Sequence, residues 1–149
     1  MDAESTDLNT ALPLFVYGTL CRGMANHARC LAGRFERIVN AETEGQIYLV
    51  EAEEYPYLLP GKGTVKGELV FLSPSLFIES LAAIDHLEDF DRSDPGASLY
   101  LRQTCQARTI EGDDFRAWTY YWNRSEHPGR LILSGDFGRE MRRVSASNG

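Results

Sequence analysis

Leu12–Pro13–Leu14–Phe15–Val16–Tyr17–Gly18–Thr19–Leu20 opens as an apolar run rich in β-formers and stops at a glycine. A run of this length ending in Gly reads as a buried strand that delivers a turn. Downstream, the pattern predicts strands over 35–50, with Gly45 as a bend or bulge, and from Val65 to Phe71. Leu99 to Ile110 and Phe115 to Asn123 flank Glu111–Gly112–Asp113–Asp114 and predict an antiparallel hairpin. Asn26 to Leu31 reads as a short helix or turn. The segment 51–62, which contains Pro56, Pro60 and Gly61, reads as loop. Strands dominate and do not alternate regularly with helices. The expected fold is therefore a single α+β domain with a mainly antiparallel, barrel-like mixed sheet and one principal helix.

That helix is expected to start at Ser73–Pro74, a capping hydroxyl followed by proline at the first helical position, and to run to about Asp89. With Phe77 at zero on a helical wheel, Leu81 falls at about 40°, Ile84 at about 340° and Glu88 at about 20°. Glu79, Asp85 and Asp89 fall at about 200°, 80° and 120°, away from the centre of the apolar stripe. Glu88 thus shares a face with core residues. A carboxylate there must be paired, neutralised or line a cavity. It is either a pocket acid with a raised pKa or a solvated group turned outward at the last turn.

Composition bounds the function classes. The chain has 149 residues, 43% hydrophobic and 25% charged, which suits one ordinary core. Domain limits are expected at 12–138, with a disordered arm over 1–11 and a polar tail over 139–149. The formal net charge of −7 argues against nucleic acid, which is bound through clustered Lys and Arg. The nearest such cluster, Arg139–Glu140–Met141–Arg142–Arg143, also reads as a solvated helix end. No apolar run approaches a membrane span, and the acidic start does not resemble a secretory signal. Cys21, Cys30 and Cys105 form no close pairs, which fits a reducing, cytoplasmic setting. No metal-ligand spacing appears, and neither a metal nor another cofactor is expected. Asp89 to Tyr100 lacks the Gly and Glu of a calcium loop, and Gly61–Lys62–Gly63 lacks the frame of a phosphate loop.

Phe15–Val16–Tyr17–Gly18–Thr19–Leu20, followed by Gly23 and Asn26–His27, resembles the opening signature of the gamma-glutamyl cyclotransferase-like family. Further pieces follow in the family's order: Gly45–Gln46–Ile47–Tyr48, Tyr55–Pro56, Val65–Lys66–Gly67–Glu68–Leu69, Ile84–Asp85–His86–Leu87–Glu88, Leu99–Tyr100–Leu101–Arg102 and Ala117–Trp118–Thr119–Tyr120. The resemblance spans roughly residues 13–137. It implies that the amides of Tyr17, Gly18, Thr19 and Leu20 hold substrate, either at its α-carboxylate or at the reacting carbonyl. It also implies that Glu88, which closes the Asp-x-x-Glu piece, is the catalytic acid–base residue. The family often has Gly where this chain has Asp89. Tyr100 and Tyr120 fall in the hairpin, as cavity wall or as sheet packing. The implied reaction cyclises a small gamma-glutamyl compound to 5-oxoproline, releases an amine, and needs no cofactor. A non-catalytic module that binds an acidic or gamma-glutamyl-like molecule in the same pocket is the alternative. The residues are silent on oligomeric state.

Overall fold

The structure, a computed structural model, describes residues 7–148, with side chains through 143. Among the described residues are six strands: β1 (Leu14–Val16), β2 (Phe35–Val50), β3 (Tyr55–Leu72), β4 (Tyr100–Thr109), β5 (Asp114–Trp122) and β6 (Arg130–Leu131). Three helices accompany them: α1 (His27–Cys30), α2 (Phe77–Leu87) and α3 (Phe137–Asn148). The sheet runs β3-β1-β5-β4-β2-β6, and β2 also pairs with β3, so five strands close into a barrel with β6 on its rim. All pairings are antiparallel except β1 with β5, where Leu14 faces Trp118. The expected α+β, barrel-like mixed sheet is the observed fold.

Alternation along the strands sends side chains to two cores, as the period of two requires. Leu14 and Val16 of β1, Tyr57 and Val70 of β3, and Trp118, Tyr120 and Trp122 of β5 pack with Phe77, Leu81 and Ile84 of α2. Phe15 and Tyr17, Leu58, Val65 and Leu69, and Ala117 pack on the other face with Ile132 and Phe137. Gly67 lies where a Cβ would collide with the Val16 carbonyl, so glycine lets β3 approach β1 at the point where the site loop leaves the sheet.

Four expectations are corrected. The segment 51–62 is not mainly loop. Only 51–54 turn, and Tyr55 to Leu59 pair with Gln46 to Val50 as one arm of a long hairpin. The turn-forming residues Pro60–Gly61–Lys62–Gly63 sit in a register shift opposite Gly45, where the ladder makes no demand on their N–H groups. Second, α2 ends at Leu87 rather than Asp89, and the Ser73 hydroxyl makes no capping bond, although Pro74 does open a single 3-10 turn before the helix. Third, 139–148 is no tail but the body of α3, a second helix as long as α2; the Asp136 carboxylate caps it by accepting from the Arg139 N–H at 3.0 Å. Fourth, residues 7–11 of the expected arm dock on the barrel. The Leu8 carbonyl accepts from Arg102 at 2.9 Å and the Thr10 carbonyl accepts from Trp118 Nε1 at 2.9 Å. Residues 1–6 of that arm lie outside the described residues.

Candidate active site

The loop after β1 is built to lie open to a cavity. Its carbonyls are used locally: Gly18 accepts from the Cys21 N–H at 3.0 Å and Thr19 from the Asn26 N–H at 2.8 Å. Asn26 Nδ2 also donates to the Thr19 hydroxyl at 2.9 Å, and His27 Nδ1 lies 3.1 Å from the Leu20 carbonyl. Asn26 and His27 therefore brace the loop. A Cβ on Gly18 would meet Pro56 Cγ at 2.6 Å, so only glycine lets the turn rest on β3.

This loop, the end of α2, the 53–56 corner of the β2–β3 hairpin and the start of β4 enclose a cavity of about 430 Å³. Tyr17, Gly18, Thr19, Leu20, Glu88, Tyr100 and Tyr120 all line it. The structure thus gathers every site residue expected from the sequence around one space. The charged side chains lining it are all carboxylates: Glu53, Glu54 and Glu88. A second hollow of about 480 Å³ shares Tyr17 and Gly18, but it holds the Arg22–Glu68 ion pair and no Glu88.

Glu88 is the C-cap of α2 rather than a residue of its last turn. Its N–H donates to Ile84 O at 2.9 Å, that of Asp89 to His86 O at 3.1 Å and that of Phe90 to Asp85 O at 2.9 Å. The last two are the paired bonds of a Schellman ending, which needs a left-handed residue just past the cap. Asp89 supplies it with φ 54°, which explains why glycine suits that position and how Asp, tolerant of this region, replaces it. Among the described residues the Glu88 carboxylate has no hydrogen bond or ion pair, and its oxygens reach the cavity rather than lying sealed. Burial pushes this carboxyl up to about 7, and the neighbouring Asp85 charge adds to the effect.

The three tyrosines are cavity wall and sheet packing at once. Their hydroxyls are committed to protein acceptors: Tyr17 to the Tyr120 carbonyl at 2.7 Å, Tyr100 to the Pro56 carbonyl at 2.9 Å and Tyr120 to Asp85 Oδ1 at 2.5 Å. Burial holds all three phenols above their ordinary range, so they stay protonated.

Sequence reasoning missed Asp85 and the rim residues Glu53 and Glu54. Asp85, placed off the apolar stripe by the wheel, is buried because Arg102 Nε and Nη2 grip it at 2.7 and 3.0 Å. No local pattern reports such a partner from β4. Burial also pushes the Cys105 thiol up to about 11, and the three cysteines are free. Among the described residues no helix is long and apolar enough to cross a membrane.

Comparison with known proteins bears on the family and the fold. Residues 14–139 match the family model described as gamma-glutamyl cyclotransferase, AIG2-like. A Vibrio cholerae serotype O1 protein named "Putative gamma-glutamylcyclotransferase" is 32% identical over 128 residues, which is 83% of this chain and 93% of that protein. An AIG2-like protein of Mus musculus has a similar crystal structure at a TM-score of 0.60 and 27% identity, covering 78% of this chain and 80% of that one. An uncharacterized protein of Pyrococcus horikoshii shares the fold at a TM-score of 0.61 and 24% identity, covering 91% and 97% of the two chains.

Proposed function

The chain belongs to the gamma-glutamyl cyclotransferase, AIG2-like family, and from that premise we propose that it cyclises the gamma-glutamyl group of a small amide to 5-oxoproline and releases the amine. One observation carries the reading: a carboxylate with no partner among the described residues, raised to about 7, faces the cavity walled by the Tyr17–Leu20 loop.

The chemistry asks little beyond what is there. The nucleophile is the substrate's own α-amine, so attack on the γ-carbonyl is intramolecular, where effective molarities reach about 10⁵–10⁸ M. Glu88 as carboxylate takes one proton from the α-ammonium. The free amine then attacks the γ-carbon and forms the five-membered lactam bond. As the bond to the leaving nitrogen breaks, Glu88 returns its proton there, and the second proton of the attacking nitrogen follows by the same route. The leaving group departs as an ammonium and the product as neutral lactam plus carboxylate, so protons and charge balance. A carboxyl near 7 populates both forms at neutral pH, which is the condition for acting as base and then as acid.

The loop suits the substrate's anionic end. Its bracing bonds run through its carbonyls and the Thr19 hydroxyl, so its amides are the groups left to meet the α-carboxylate or the developing oxyanion. With only carboxylate side chains on the charged part of the lining, the backbone must supply that positive potential.

The test is 5-oxoproline release from a panel of gamma-glutamyl amines and dipeptides. Release of 5-oxoproline with stoichiometric amine supports the reading, and the ranking of amines defines the leaving group. Tight binding of 5-oxoproline with no release from any member would replace it with the non-catalytic binding module.

A further inference from the structure

One residue stands behind two walls of the cavity without lining it. Asp85 is 6% exposed and both of its carboxylate oxygens are held. Arg102 donates Nε to Oδ1 at 2.7 Å and Nη2 to Oδ2 at 3.0 Å, and Arg92 Nη2 reaches Oδ2 at 3.5 Å. The Arg102 guanidinium is itself fixed, 4.6 Å from the Trp118 ring centre and 5.7 Å from that of Phe90. A buried ion pair of this kind is a weak source of net stability, because desolvation offsets much of the attraction. What it does supply is a carboxylate that cannot rotate.

Two groups of the site hang from that carboxylate. Tyr120 donates its hydroxyl to Asp85 Oδ1 at 2.5 Å, and the Tyr120 carbonyl in turn receives the Tyr17 hydroxyl at 2.7 Å. A continuous line of bonds therefore runs from Arg102 through Asp85 and Tyr120 to the first residue of the substrate loop. On the other side, the Asp85 backbone carbonyl accepts from the Phe90 N–H at 2.9 Å, closing the turn that aims Glu88 into the cavity.

We propose that Asp85 is a positioning residue that couples the two halves of the site, its carboxylate fixing Tyr120 and the loop, its backbone carbonyl fixing the turn that orients Glu88. The proposal rests on the cyclotransferase reading in so far as the site it organises is the one described above. The groups facing Glu88 are Asp85 on its own helix, Tyr17 after β1, Tyr100 and Tyr120 on β4 and β5 with Arg102 behind, and Glu53, Glu54 and Tyr55 at the hairpin corner. Of these, Asp85 is the charge that acts on the Glu88 carboxyl, and it pushes it up. Neutralising Asp85 must therefore lower it.

The experiment is a ¹³C-carboxyl NMR titration of Glu88 in the full chain, which needs no turnover, paired with kcat and KM on the best gamma-glutamyl substrate. In native protein the midpoint is expected near 7. In Asp85→Asn it is expected at least about half a pH unit lower, with kcat down at least about 10-fold. Should the stranded Arg102 prevent folding, the double variant Asp85→Asn/Arg102→Gln removes both buried charges; kcat is expected to fall by the same factor, while the midpoint, losing an anion and a cation together, is not its readout. Tyr120→Phe, which keeps the ion pair, is expected to lower kcat about 10-fold while the midpoint stays. A folded Asp85→Asn variant with the native midpoint and native kcat, or a folded double variant with the native kcat, overturns the proposal and leaves Asp85 as packing alone. A native protein that releases no 5-oxoproline overturns the proposed reaction instead, and the titration still decides the role of Asp85.

Discussion

Glu88 and Glu140 sit at opposite ends of two helices, and the protein treats the same side chain in opposite ways. Glu140 lies in the first turn of α3, where the helix dipole favours an anion. Arg143 and Arg130 both donate to it, at 2.9 and 2.6 Å, and hold its carboxyl down to about 2. Glu88 caps the C-terminal end of α2, where the dipole disfavours an anion, and among the described residues no cation meets it. Burial and Asp85 hold its carboxyl up at about 7. A carboxylate that pins a helix is paired until it no longer titrates near neutrality. One left without a partner in a cavity titrates near neutrality instead, as the proposed proton carrier must.

The largest stability effect expected from this contrast is at Glu88. A carboxyl raised from about 4.5 to about 7 contributes stability that is full below its ordinary value and lost as pH rises through 7. At pH 8 the native protein therefore carries a penalty of order 3 kcal/mol. Glu88→Gln should be more stable than native by up to about that amount at pH 8, with the gain vanishing near pH 4 in urea unfolding. A difference that is the same at both pH values would break the contrast.

Glu140→Gln should do the reverse. A depressed carboxyl contributes stability present above its ordinary value and lost as pH falls through about 2. The variant should be less stable than native by about 1–2 kcal/mol at pH 7, and thermal melts at pH 5, 4 and 3 should show the gap narrowing. A gap that widens toward pH 3 would show that the arginines are not its source. The smallest effect is local to the Glu88 turn. Asp89→Gly should gain about 1 kcal/mol by relieving the left-handed backbone, read by chemical denaturation. A loss there would mean that the Asp89 side chain contributes more than its φ costs.

How far the sequence reveals this follows from where the signals lie. Strand alternation, the Gly18 turn and the β4–β5 hairpin are encoded locally, and they delimit the barrel. Glu88 was legible because apolar neighbours at helical spacing give it a face, even though it proves to lie one residue beyond the helix. Pro56 and Pro60 misled because a proline at a strand position that donates no bond looks, in one dimension, like a loop. α3 was read only as a solvated helix end because of its charge: the pairing of Glu140 with Arg130, which joins this polar helix to the barrel rim, is tertiary. Asp85 was missed for the same reason, since its burial depends on Arg102, a partner 17 residues away on another element.

The central claim is that the unpaired carboxyl of Glu88 moves the protons of a cyclisation. The direct measurement is 5-oxoproline release at pH 7 by native protein and by Glu88→Gln, with circular dichroism showing both folded. The account predicts release by the native enzyme and at least about a 100-fold lower kcat in the variant. A folded Glu88→Gln protein that turns over at the native rate would contradict it.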